Sequence, residues 1–127
     1  MKKILIVEDE IDIINSLKLI LKKKGFQVEA VLGGEKAIEK INSFDPEIIL
    51  LDVLIPFFDG AEFIKDLKKK KKGIKVILVT AVSEQAEIIN KIREVDNTIK
   101  IIRKPFKIEE VLSKVSWTHK QNIFIKV

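Results

Sequence analysis

Five short runs rich in apolar residues, at positions 3–7, 27–31, 47–51, 75–79 and 99–103, punctuate the chain. Four of them consist mainly of Ile, Leu and Val, and the first, third and fourth lack polar alternation. That absence marks strands covered on both faces. Between the runs, apolar residues recur at spacings of three and four: Ile13, Leu17, Ile20 and Leu21; Ala37, Ile38 and Ile41; Phe63, Ile64 and Leu67; Ile88, Ile89, Ile92 and Val95; Ile108, Val111, Leu112 and Val115. Each set is the buried stripe of a helix. Strand and helix patterns therefore alternate five times, and all five glycines fall at the joints between them. This predicts an α/β fold, a doubly wound five-stranded parallel sheet built as (βα)5 with strand order 2-1-3-4-5. Ligands of such a sheet sit beyond the carboxyl ends of its strands.

Composition narrows the picture. A chain of 127 residues with 46% apolar and 34% charged residues suits one domain with a real core. There is no cysteine, so disulfides and thiolate metal sites are excluded. The opening residues lack the apolar core of a signal peptide. The longest nearly apolar stretch, 48–58, contains Asp52 and Pro56 and falls short of the roughly 18 residues of a membrane span. No membrane association is expected, and the expected location is cytoplasmic. The net charge of +5 raises the question of nucleic acid, but the lysines are scattered apart from the run 68–72. That run follows an amphipathic segment and precedes Gly73, where cations meet the carbonyl end of a helix. No aromatics interleave with it as a stacking surface requires. It reads as a solvated helix end, and no direct nucleic-acid contact is expected.

The chemistry gathers at the strand tips. Glu8, Asp9 and Glu10 follow the first strand, Asp52 the third, Thr80 the fourth and Lys104 the fifth. Glu8, Asp9 and Asp52 would crowd three negative charges into one crevice, which raises pKa values or demands a cation. Oxygen ligands without nearby His or Cys suit Mg²⁺, with Mn²⁺ as a substitute. Lys104 offers a point charge to an anionic oxygen, and Thr80 offers a hydroxyl. Together these outline a phosphoryl site. The plainer alternative is that Asp9 and Thr80 serve as helix caps. It is weakest for Asp52, which lies between apolar runs and needs a compensating partner.

In their order, Val7-Glu8-Asp9-Glu10, Leu51-Asp52-Val53, Pro56, Asp59-Gly60, Val79-Thr80-Ala81 and Lys104-Pro105-Phe106 resemble the receiver domains of two-component response regulators. Each fragment is weak alone, and the combination is specific. The resemblance covers residues 1–116, the expected domain, and leaves 117–127 as a C-terminal tail. It implies a flavodoxin-like fold and a phosphoacceptor signalling role rather than an enzyme of other substrates. By the same resemblance Asp52 takes a phosphoryl group from a histidine kinase or histidine phosphotransfer protein. Asp9, Asp52, the Leu54 backbone carbonyl and Glu8, the last through water, would hold Mg²⁺, and Lys104 and Thr80 would contact the phosphoryl oxygens. Ala81, Ile101 and Pro105 occupy the family's switch and structural positions, with a cis Lys104-Pro105 bond. The signal would pass to a protein partner through the face of helix 4, strand 5 and helix 5, from a monomer or a phosphorylation-linked dimer.

The departures are specific. The family's usual aromatic switch residue is replaced by Ile101, so the relay from Thr80 to a ring is missing. Leu54 and Val82 are both apolar and cannot orient an attacking water, which predicts a long-lived phospho-Asp52. Residues 95–98 replace a common turn, which suggests an extended fourth helix or exit loop. In the tail, Ile123, Ile125 and Val127 alternate as in a strand, yet a frayed segment is expected, with Trp117 against the last helix and His119 at the surface. The main rival reading is a phosphorylation-independent adaptor that keeps the fold. A dehalogenase-type phosphatase would need a second Asp where Leu54 stands.

Overall fold

A computed structural model describes residues 2–71 and 73–125, with side chains through residue 116. Strands β1 (Lys3–Glu8), β2 (Gln27–Leu32), β3 (Ile48–Leu51), β4 (Lys75–Thr80) and β5 (Lys100–Arg103) alternate with helices α1 (Ile11–Lys23), α2 (Ala37–Phe44), α3 (Gly60–Lys70), α4 (Glu87–Val95) and α5 (Ile108–Ile125). All strands are parallel and lie in the order β2-β1-β3-β4-β5, as the alternation predicts.

Successive residues of a strand point to opposite faces, and here each face has its own core. Leu5, Val7, Ile49, Leu51, Val76 and Leu78 meet α2, α3 and α4 through Ile41, Phe44, Ile64, Leu67, Ile89 and Ile92. Their neighbours Ile4, Ile6, Ile48, Leu50, Ile77 and Val79 meet α1 and α5 through Ile14, Leu17, Leu21, Val111 and Val115. Burying one such Leu or Ile contributes about 1.5–3 kcal/mol. Truncating the fully buried Ile64 to Ala should therefore cost about 2–5 kcal/mol once the cavity is included.

The observed elements differ from the expected ones in several places. β3 and β5 begin one residue later than expected, at Ile48 and Lys100, and Ile38, Val95 and Ile108 lie at the edges of their stripes and are exposed rather than buried. The ladder runs one residue further in β1 and β4, because Glu8 pairs with Leu32 and Thr80 with Arg103. Those two site residues are thus the last of their strands and not the first of the loops. In α1 the buried face runs through Ile14, Leu17 and Leu21, while Ile13 and Ile20 are only half-buried. The lysine run is not simply solvated: Lys68 Nζ lies 2.9 Å from Asp96 Oδ2 and donates to the Ile74 carbonyl at 3.1 Å, and Lys71 is 3.6 Å from Asp45. Lys72 lies outside the described residues. Finally, the α5 backbone continues to Ile125, so 123 and 125 are helical and not strand-like. The side chains of Trp117 and His119, and all of residue 127, lie outside the described residues.

The exit from α4 is a four-residue turn, 96–99, organised by Asp96. Its Oδ1 accepts from the Thr98 amide at 3.0 Å and hydroxyl at 2.6 Å, while Lys68 holds Oδ2. Burial works against this carboxylate, but the hydrogen bonds from Thr98 and Lys68 outweigh it and hold its pKa below the usual value.

Candidate functional site

Four adjacent strands, β1, β3, β4 and β5, end at one crevice because parallel strands all present their carboxyl ends on the same edge. Past those ends the backbone ladder is extended by single bonds. The Asp52 amide donates to the Val7 carbonyl at 3.1 Å, and the Lys104 amide to the Thr80 carbonyl at 3.0 Å. The backbone of Asp52 and of Lys104 is thereby fixed by the sheet and not by a loop.

Carboxylate oxygens of Glu8, Asp9, Glu10 and Asp52 all lie within 4.8 Å of one another. Glu8 and Asp52 are buried, at 2% and 4% exposure, while Asp9 and Glu10 face solvent. Lys104 Nζ reaches into this group, 2.7 Å from Glu8 Oε1, 3.0 Å from Asp52 Oδ2 and 3.2 Å from Glu10 Oε1. The other Glu8 oxygen accepts from the amides of Asp9 at 2.9 Å and Glu10 at 3.3 Å. Asp52 Oδ1 accepts from the Leu54 amide at 3.0 Å.

One ammonium does not balance four carboxylates. Burial pushes the Glu8 carboxyl up to about 7; the hydrogen bond from Lys104 opposes the rise and the Asp52 charge adds to it. Lys104 is raised above the ordinary lysine value, because its bonds to Glu8 and Asp52 and their charges outweigh its own burial. The ammonium therefore stays charged, and Glu8 gives up its proton less readily than an ordinary glutamate. The donor set is all oxygen, with carboxylates open to solvent on one side, and it fits a hard divalent cation.

Thr80 is fully buried and its Oγ1 accepts from the Val82 amide at 3.3 Å. Ala81 beside it is exposed. The Lys104-Pro105 peptide is cis, as expected. Ile101 of β5 pairs with Leu78 of β4 and is buried in the core that contains Ile89 and Ile92 of α4. It fills a place in the core and carries no polar handle. Leu54, two residues after Asp52, is 55% exposed. The alternative of Asp9 as a helix cap is not what the structure has: the N-cap of α1 is Glu10, and no side chain caps that helix.

Two features were not foreseen from the residues. Glu10 takes part in the ion-pair cluster, which its place after Glu8 and Asp9 could have signalled. The loop between β3 and α3 also carries a fully exposed Phe57 at φ 57°, while Phe58 packs on Phe63 with ring centroids 5.3 Å apart. At the end of that loop Asp59 caps α3 by accepting from the Glu62 amide at 3.1 Å.

Among the described residues no helix is long and apolar enough to cross a membrane. The model of the response regulator receiver domain matches residues 4–116. The alkaline phosphatase synthesis transcriptional regulatory protein PhoP of Bacillus subtilis (strain 168) is 37% identical over 84 residues, 66% of this chain and 35% of PhoP. The chain thus spans about a third of that relative's length. Among solved structures, the response regulator TrrA of Thermotoga maritima, in complex with Mg²⁺-BeF, superposes with TM-score 0.79 at 31% identity, covering 93% of this chain and 99% of TrrA. A CheY-like receiver domain protein of Methanospirillum hungatei JF-1 superposes with TM-score 0.85 at 28% identity, covering 96% and 97%.

Proposed function

The chain belongs to the response regulator receiver family, a family of signalling domains, and from that premise we propose that Asp52 accepts a phosphoryl group from a phosphohistidine. The observation that carries this is Asp52 itself, a nearly buried carboxylate held by Lys104 at 3.0 Å inside a cluster of carboxylates. In the step, an Asp52 oxygen bonds to phosphorus as the phosphorus–nitrogen bond to the donor imidazole breaks, and the imidazole leaves with the bond's electron pair.

Asp9, Asp52, the Leu54 carbonyl and, through water, Glu8 would hold Mg²⁺. The ion would neutralise charge on the transferring oxygens. Lys104 keeps Asp52 oriented before the reaction and afterwards faces a phosphoryl oxygen in place of a carboxylate oxygen. Thr80 exchanges its bond to the Val82 amide for one to the phosphoryl group, drawing the segment after β4 inward. The complex of TrrA with Mg²⁺-BeF supports both the metal and the phosphoryl assignment.

The receiver unit is assigned to residues 1–116, with 117–127 appended. It acts in the cytoplasm and turns over no substrate besides its own phosphoryl group. Its signal passes to a protein through the α4–β5–α5 face, from a monomer or a dimer formed on phosphorylation. One observation favours the rival reading of a phosphorylation-independent adaptor: Ile101 is buried at 7% and offers no rotating ring to read Thr80. Beryllium fluoride with Mg²⁺ separates the two. Amide resonances of residues 80–83 and of α4 should shift in the wild type and not in Asp52→Ala; unchanged spectra in both would leave the adaptor.

A further inference from the structure

The loop between β3 and α3 places an aromatic residue where the backbone suits one least. Phe57 adopts φ 57°, a left-handed conformation that bulky side chains take only under constraint. Its ring is nonetheless fully exposed, at 110%. Burial does not explain it, because Phe58 does the packing of this loop against Phe63 and closely over Gly34. Phe57 instead stands at an open cavity beside the acidic site, lined also by Asp9, Leu32, Glu35, Phe58 and Asp59. Leu32 adds a second exposed apolar side chain, at 65%.

The charged residues of that lining are Asp9, Glu35 and Asp59, all acidic, with no lysine or arginine among the described lining residues. The chain as a whole carries +5. An apolar centre ringed by carboxylates complements a surface that presents an apolar side chain among lysines or arginines. Asp9 belongs both to this cavity and to the carboxylate cluster around Asp52. The cavity and the cluster thus share an edge at Asp9, within reach of a macromolecule that delivers a group to Asp52, whereas a small phosphodonor need not touch Phe57.

We propose that Phe57 and the acidic-rimmed cavity beside it are a docking anchor for the protein that carries the phosphohistidine. This rests on the phosphoacceptor reading above. Aromatic anchors near the centre of an interface carry a disproportionate share of its affinity. The strained, exposed ring is kept for the partner and not for the fold.

The test compares two donors on the full chain. One is a radiolabelled, phosphorylated histidine kinase core, chosen from a panel as the fastest on the wild type; the other is acetyl phosphate. Phe57→Gly should slow transfer from the kinase core tenfold or more and leave the acetyl phosphate rate within twofold, with Phe57→Leu between. Glu35→Lys should slow the kinase reaction in the same selective way. A kinase rate unchanged in Phe57→Gly overturns the proposal, as does an equal loss with both donors, which would place Phe57 in the chemistry. If the wild type takes no label from either donor, the phosphoacceptor reading itself fails and the docking proposal falls with it.

Discussion

Replacing Lys104 with Met keeps a side chain of similar length and removes the ammonium that bridges Glu8, Glu10 and Asp52. Breaking a buried ion pair from one side costs about 3–5 kcal/mol, because the remaining charge is left uncompensated. Two features of the site reduce that figure. Glu10 is 60% exposed and loses little, and Glu8, already at about 7, takes up a proton in place of remaining charged. The expected loss is about 2–3 kcal/mol in the absence of metal. For a domain of this size each kcal/mol moves Tm by about 3–5 °C, so the variant should melt about 6–15 °C below wild type in EDTA. Folding raises the pKa of Lys104, so its contribution is fully present below the ordinary lysine value of about 10.4. The deficit should therefore persist from about pH 7 to pH 9 and widen toward pH 9, where protonating Glu8 becomes harder. Millimolar Mg²⁺ should raise Tm more in the variant than in the wild type, since the ammonium no longer competes for the same oxygens. Thermal melts by circular dichroism read both effects. A variant within about 2 °C of wild type in EDTA, or one that gains less from Mg²⁺ than wild type, would refute the assignment of Lys104 as the cluster's counter-ion.

Three further outcomes follow from other parts of the molecule. The folded-state pKa of Asp96 is depressed, so its contribution is present above the ordinary carboxyl value of about 3.9 and is lost as pH falls through the lower folded value. Lys68→Met should flatten the acid limb of the stability curve below about pH 4, and an unaltered limb in urea titrations would show that the pair does not matter there. At Gly34 an added Cβ would lie 2.0 Å from the Phe58 ring. Gly34→Ala should accordingly cost about 1–3 kcal/mol unless the ring swings away, and Phe58→Ala in the same chain should make that substitution nearly neutral. Leu54 and Val82 carry no group that positions water, so radiolabel on Asp52 should decay over minutes or longer. Leu54→Asn should shorten that lifetime, and decay within seconds in the wild type would contradict the reasoning.

Much of the fold was legible because its strongest signals are redundant. Runs such as 48–51 and 76–79 are apolar on both faces, and only a sheet covered by helices on both sides accommodates that. The register of α1 was less legible. Ile11, Ile13 and Ile14 allow more than one stripe through Leu17 and Leu21, and the start at Ile11 with Glu10 as N-cap selects Ile14. The continuation of α5 past residue 116 was obscured by residues 123–127, whose alternation imitates a strand.

The site followed a similar division. Glu8, Asp9, Asp52, Thr80 and Lys104 were readable because each stands at the end of an apolar run, and the topology brings those ends together. The share of Glu10 in the cluster depends on a side-chain direction that spacing does not determine. Lys68 looked like one more solvated lysine because its partner, Asp96, lies on the far side of β4 in the chain and meets it only once α3 and α4 pack side by side. The conformation of Phe57 had only a weak signal in the preceding Pro56, which favours a turn whose next residue takes a positive φ, and nothing in the residue types marks an aromatic there.

The central claim is that Asp52 is the phosphate acceptor of a metal-dependent site. Intact-mass spectrometry after incubation with acetyl phosphate measures this most directly, with Mg²⁺ or EDTA present and with Asp52→Ala alongside. The wild type should gain the mass of one phosphoryl group in Mg²⁺ only, the adduct should be lost in base as an acyl phosphate is, and Asp52→Ala should gain nothing. A wild type that remains unmodified in Mg²⁺, or an Asp52→Ala variant modified to the same extent, would contradict the account.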